Sequence, residues 1–167
     1  MENISIWDAN FVVVDTETTG HSPLQNRIMD IAAVMISNGE IQDDFHSLIN
    51  PHQIIPPFIS QMTKITNEDV ANAPEERDII PKFNEFFKNE NTIFVAHNAN
   101  LDYSFISEAY RRISFGDFNP PILDTLKIAR HIFPENQKKG VSSLATLFGI
   151  RIRNRHSAYG DAKATAK

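Results

Sequence analysis

Cysteine is absent from the 167 residues. That excludes a disulfide framework and any thiolate metal site, so hard oxygen ligands in a reducing compartment become the expectation. No stretch approaches the roughly twenty apolar residues that cross a bilayer. Residues 1–10 have neither a basic start nor a long apolar core, as a secretory leader would. The chain therefore reads as soluble and cytoplasmic, with no membrane partner. Basic residues are outnumbered, 16 against 21 acids, for a net charge of -5. This argues against reading long duplex through a broad basic face, but not against a short phosphate-containing substrate held through metal ions. No repeat or linker is visible, and 41% apolar content at this length suits one α/β domain with a full core.

The chain is organised around Phe11-Val12-Val13-Val14-Asp15-Thr16-Glu17-Thr18-Thr19-Gly20. Four apolar, mostly β-branched residues read as a central strand buried on both faces, and the run ends in two acids. Side chains alternate along a strand, so Asp15 and Glu17 project to one side and Thr16 to the other. Turn chemistry alone can explain an acid before Thr-Thr-Gly. Two ionised carboxylates about 4 Å apart, however, repel by on the order of 4 kcal/mol at an effective dielectric near 20. A buried pair therefore implies a raised pKa or a cation.

Residues 27–36, apolar except for Asp30, predict a second strand, and Asn38-Gly39 signals a type I′ hairpin into a third over 41–49. Pro56-Pro57 opens short helices, with Phe58, Met62 and Ile65 at helical spacing and Thr66 to Asp69 as a capping box. Ile79, Ile80, Phe83, Phe86 and Phe87 form a helical core stripe, and Pro81 predicts that this helix starts only a residue or two earlier. A strand over 92–96 ends in His97-Asn98-Ala99-Asn100, and a helix follows with Asp102 in its first turn. There a carboxylate also suits the helix dipole. Asp124 is placed to cap a helix through Ile132, Ser142-Ser143 begins another that Gly149 closes, and Ile150 and Ile152 suggest a short edge element. The chain closes on small helix formers around Asp161, with His156 five residues ahead.

Asp15-x-Glu17-Thr-Thr-Gly, His97-Asn98-Ala99-x-x-Asp102 and His156-x4-Asp161 stand in the order and contexts of three exonuclease motifs. The chain thereby resembles the DnaQ-like DEDDh 3′–5′ exonucleases, the family of the proofreading subunit or domain of bacterial DNA polymerase III. Thr63-x-Ile65-Thr66, Ala73-Pro74 and Leu123-Asp124-Thr125-Leu126 extend the likeness over nearly the whole chain. A sister branch carries tyrosine where Ser157 stands, and His156 has the histidine-branch spacing. Leu101, Lys64 and Ser157 depart from the residues the family often has there, which bears on substrate fit more than on chemistry.

The resemblance implies an RNase H-like fold, a mixed five-stranded sheet flanked by helices, in a single exonuclease domain over residues 1–167; the uncapped helical pattern at its end suggests that this domain is truncated within or before its last helix. The resemblance also implies that Asp15, Glu17, Asp102 and Asp161 hold two Mg²⁺ or Mn²⁺ ions, Asp15 bridging both, for two-metal phosphodiester hydrolysis. His156 is the implied general base, since imidazole titrates near operating pH. Thr16, Thr18, Ile65 and Asn98 match positions that grip the 3′-terminal nucleotide, and His97 is read as a loop-stabilising residue. The implied substrate is a single-stranded DNA 3′ end, trimmed in proofreading or repair, with a DNA polymerase or helicase as partner or fused domain. Two alternatives stay open: an exoribonuclease of the same superfamily, and a phosphatase with a strand-terminal aspartate nucleophile, which requires a crossover helix after the first strand.

Overall fold

The computed structural model describes residues 9–153 and 156–167, so the reading of residues 1–8 lies outside it. Strand β1 (Asn10–Thr18) pairs antiparallel with β2 (Ile28–Ser37), which pairs antiparallel with β3 (Glu40–Leu48). On its other side β1 runs parallel to β4 (Thr92–Ala96), followed outward by the parallel β5 (Ile122–Asp124). The order β3-β2-β1-β4-β5 makes a mixed five-stranded sheet with the apolar run at its centre. Asn38 and Gly39 take φ of 53° and 77°, the positive pair that a type I′ turn requires. An antiparallel partner rather than a crossover helix follows β1, unlike the arrangement an aspartate-nucleophile phosphatase needs.

Between β3 and β4 lie α1 (Pro57–Thr63), α2 (Asn67–Ala71), α3 (Glu76–Asn84) and a 3₁₀ turn at Glu85–Phe87. After β4 come α4 (Asn100–Arg112), α5 (Thr125–Ile132), α6 (Val141–Leu147) and α7 (Ala158–Thr165). One sheet face buries Val12, Val14, Ile31 and Phe94 against Ile80, Phe83 and Phe105 from α3 and α4. The other packs Val13, Ala32, Val34 and Val95 on Ala158 and Ala162 of α7. A satellite cluster of Met29, Ile55, Ile59, Ile65 and Val70 seats α1 and α2. Among the described residues, no helix is long and apolar enough to cross a membrane.

Three local expectations are corrected. Pro81 lies inside α3, which begins at Glu76 rather than just before the proline. The acceptor deprived of its bond is the carbonyl of Arg77, an exposed residue where water can take that place. The fifth strand is β5, whereas Ile150 and Ile152 belong to no regular element. Phe58 and Met62 are 61% and 46% exposed, and Ile59 faces the core of α1 instead. The capping box holds: Thr66 accepts from the Asp69 amide, and the Asp69 carboxylate accepts from the Thr66 amide at 2.8 Å.

Candidate active site

The acids stand where β1 leaves the sheet. Register with β2 shifts between Glu17 and Thr18, so Glu17 faces Asp30 while Thr18 faces Ile28. Such an irregularity ends regular pairing and re-aims the strand tip. The turn beyond is tight, because a Cβ on Gly20 would meet Asn26 Oδ1 at 2.5 Å. Alternation puts Asp15 and Glu17 on the α7 face, with Val13, and Thr16 on the α4 face, with Val12 and Val14.

Helix α7 brings the third acid. Ser157 caps it, its hydroxyl accepting from the Gly160 amide at 3.2 Å. Ala158, Gly160, Ala162 and Ala164 are buried, and side chains this small let the helix backbone lie close to the sheet. Asp161 is carried down with it, so that Asp15, Glu17 and Asp161 each offer one carboxylate oxygen within 4.8 Å of the others. At that separation each ionised pair repels by on the order of 3 kcal/mol at an effective dielectric near 20.

Asp102 arrives from the opposite face. It sits in the first turn of α4, 5% exposed, and accepts hydrogen bonds from Thr16 N at 2.9 Å and Thr16 Oγ1 at 2.8 Å. It is therefore held by the residue between the two strand acids. Burial pushes its pKa up to about 6, against the lowering effect of the two Thr16 bonds.

Asp15, Glu17 and Asp161 keep some surface at the site's mouth. Asp15 is nonetheless raised well above the usual carboxylate range, by burial first and then by the charges of Asp102, Glu17, Asp161 and Asp30. Glu17 rises from 4.5 to about 8, again by burial and then by Asp161, Asp30 and Asp102. A crowded set of hard oxygen donors whose charges oppose one another fits a divalent cation of the Mg²⁺ or Mn²⁺ class.

The other candidates take varied places. His156 is exposed, adopts φ of 60°, and stands two residues before α7, outside the acid cluster. Asn98 is exposed at φ 72°, with its amide donating to Asp124 Oδ1 at 3.1 Å. That same carboxylate oxygen caps α5 through Leu126 N and Lys127 N. Asn98 and His156 are two of six non-glycine residues at positive φ among the described residues, so this conformation does not by itself mark the motifs. The Thr18 hydroxyl donates to the Gly20 carbonyl at 2.6 Å, and Ile65 is 8% exposed. His97 Nδ1 lies 3.0 Å from Thr125 Oγ1, a loop-to-helix tie as expected. An apolar cavity of about 530 Å³ between α5, α6 and the end of α7 takes none of the acids into its lining.

Sequence reasoning passed over Asp30. It is 1% exposed, faces Glu17 across the β1–β2 pair, and its charge acts on both Asp15 and Glu17. The available signal was a lone acid inside an otherwise apolar strand.

A pH dependence follows. Over the window from the ordinary 4.5 to about 8, the fold keeps Glu17 protonated where the unfolded chain has released its proton. The metal-free native state thus binds more protons, and its stability falls as pH rises through that window. His46, raised chiefly by its hydrogen bond to Asp30, acts in the same direction. A shift of this size amounts to on the order of 4 kcal/mol, or about 10 °C in Tm for a domain of this length. Thermal melts in chelator at pH 5 and pH 8 are expected to show that drop, and Mg²⁺ at pH 8 to reverse much of it. Melting independent of both pH and metal would contradict the raised acids.

Comparison with known proteins agrees with this geometry. Residues 12–167 match the family model of RNase T-type exonucleases, described as Exonuclease. A DNA polymerase III PolC-type protein of Staphylococcus aureus is 39% identical over 165 residues, covering 99% of this chain and 11% of the relative. The chain thus spans about a tenth of the polymerases it matches. E. coli exonuclease I, solved with a dT13 oligonucleotide, superposes with a TM-score of 0.83 at 20% identity, covering 95% of this chain and 39% of the other, and shares the fold. Exonuclease X, solved with 5′ overhanging duplex DNA, gives 0.74 at 27% identity over 93% of this chain and 86% of the other. With its motifs, its RNase H-like sheet and a family match over almost its full length, the chain belongs to the RNase T-type, DnaQ-like exonuclease family.

Proposed function

We propose that this chain is a metal-dependent 3′–5′ exonuclease that releases nucleoside monophosphates from single-stranded DNA ends. The reading is carried by the meeting of Asp15, Glu17 and Asp161 within 4.8 Å, beside Asp102 on Thr16. These four acids would hold the two Mg²⁺ or Mn²⁺ ions of this reading, Asp15 being the ligand on which both would depend. Bound there, such ions supply Lewis-acid stabilisation of the phosphate and a water of lowered pKa. His156, exposed at the approach to α7, accepts the proton of the attacking water. Asn98 hydrogen-bonds near the scissile phosphate. Because the hydroxyls of Thr16 and Thr18 donate to Asp102 and to the Gly20 carbonyl, they can meet the terminal nucleotide only as acceptors, beside their methyl groups and backbone atoms. Ile65, 8% exposed, supports the grip on that nucleotide. Stacking and shape tolerate any base, so trimming is independent of sequence.

The setting we infer is cytoplasmic proofreading or repair, with a DNA polymerase or helicase as partner or fused domain. Similarity to PolC-type polymerases supports the polymerase choice. The test is incubation with end-labelled single-stranded DNA or RNA in Mg²⁺, Mn²⁺ or chelator. Stepwise shortening of DNA from the 3′ end, abolished by chelator, is expected. Internal cuts, 5′ shortening or chelator-resistant cleavage would refute the reading, and preference for RNA would move it to the exoribonuclease.

A further inference from the structure

Asp30 has no place in the chemistry above, yet it is among the most deeply buried polar side chains described, at 1% exposure. Placing another carboxylate opposite Glu17 works against local electrostatics, and an apolar residue would have served packing in β2 equally well. Its two oxygens have separate partners. Oδ2 accepts from the amide of Ala158, the first residue of α7, at 3.1 Å, and Oδ1 lies 2.8 Å from His46 Nε2 on β3. The Ala158 amide is one of the first-turn donors that a helix cannot satisfy internally, and here it is fully buried. Around this bond the helix is fastened again. The Tyr159 ring lies 5.4 Å from that of His46, its hydroxyl donates to Asp44 at 3.1 Å, and Lys163 reaches Asp44 at 2.9 Å. Asp161 sits between these fastenings, and His156 just ahead of them.

We propose that Asp30, oriented by His46, is a positioning residue that fixes the start of α7 so that Asp161 meets Asp15 and Glu17. It rests on the cation-binding reading of that cluster. A rigid helix transmits a shift at its first turn directly to Asp161 one turn on, so the bond to Ala158 sets the spacing of the cluster without contacting any metal.

The test measures Mn²⁺ affinity by calorimetry, and amide exchange of the first turn of α7 in the metal-free chain, for Asp30→Ala and Asp30→Asn. Asp30→Ala is expected to weaken Mn²⁺ binding about tenfold or more, as loss of a group that orients a metal ligand does, and to speed exchange at the helix start. Asp30→Asn keeps an oxygen for the Ala158 amide and is expected to stay within about threefold of the unaltered chain. A purely structural role would lower the Tm of Asp30→Ala while leaving the Mn²⁺ affinity of the folded protein unchanged, and that result overturns the proposal. Should Asp30→Ala not fold, Ala158→Pro removes the same N–H from the other side. Proline suits the first helical position, and Ser157 before it is already extended at ψ 143°. Weakened Mn²⁺ binding supports the proposal there, and unchanged binding overturns it. Mn²⁺ binding without DNA shortening in the unaltered chain would sink the exonuclease reading alone. Shortening with undiminished Mn²⁺ affinity in Asp30→Ala would sink this one alone.

Discussion

Asp15→Asn is expected to abolish cleavage while making the metal-free protein more stable. Burial together with four neighbouring carboxylates resists the ionisation of Asp15. An amide of the same shape removes that repulsion, so the metal-free Tm at pH 8 should rise. In the proposed site the same change deletes the carboxylate on which the bound cations depend. Metal stabilisation of transition-state charge amounts to several kcal/mol, so a loss of about 10³-fold or more in kcat is expected. Opposite movement of stability and activity separates a functional acid from a structural one. Near-normal turnover, or a fall in Tm, would exclude the role given to Asp15. The measurement pairs melting curves in chelator with single-turnover rates on labelled DNA.

His156→Ala should lower kcat by about 10² to 10⁴, the range that a positioned base contributes. Mn²⁺ affinity should persist, because His156 is exposed and stands outside the group formed by Asp15, Glu17 and Asp161. The pH–rate profile should lose one ionisation, leaving that of the acids. An unchanged profile would remove His156 from the base role, and lost Mn²⁺ binding would mean that it acts on the metal site instead.

Much of this was legible along the chain because the signals are local. The valines before Asp15, the turn at Asn38-Gly39, the Thr66 capping box and the acid capping α5 each carry their cause within a few residues. Alternation also put Asp15 and Glu17 on a common side. It could not say which helix would meet that side, and so could not foresee Asp161 joining them while Asp102 reached Thr16 from behind. Strand β5 escaped because three residues carry no periodicity, and it exists only through pairing with β4. Pro81 misled because the cost of a lost helical bond depends on exposure of the turn that loses it, a tertiary property. Asp30 was visible as an oddity in an apolar strand, but its partners, Ala158 and His46, are 128 and 16 residues away.

The proposed chemistry depends on the strand-tip acids and Asp161 sharing a divalent cation. The direct measurement is anomalous scattering from a crystal soaked in Mn²⁺. The account expects an anomalous peak coordinated by oxygens of Asp15, Glu17 and Asp161, absent after the same soak of Asp15→Asn. Mn²⁺ bound elsewhere, or no peak among these acids in crystals of protein that shortens DNA, would contradict it.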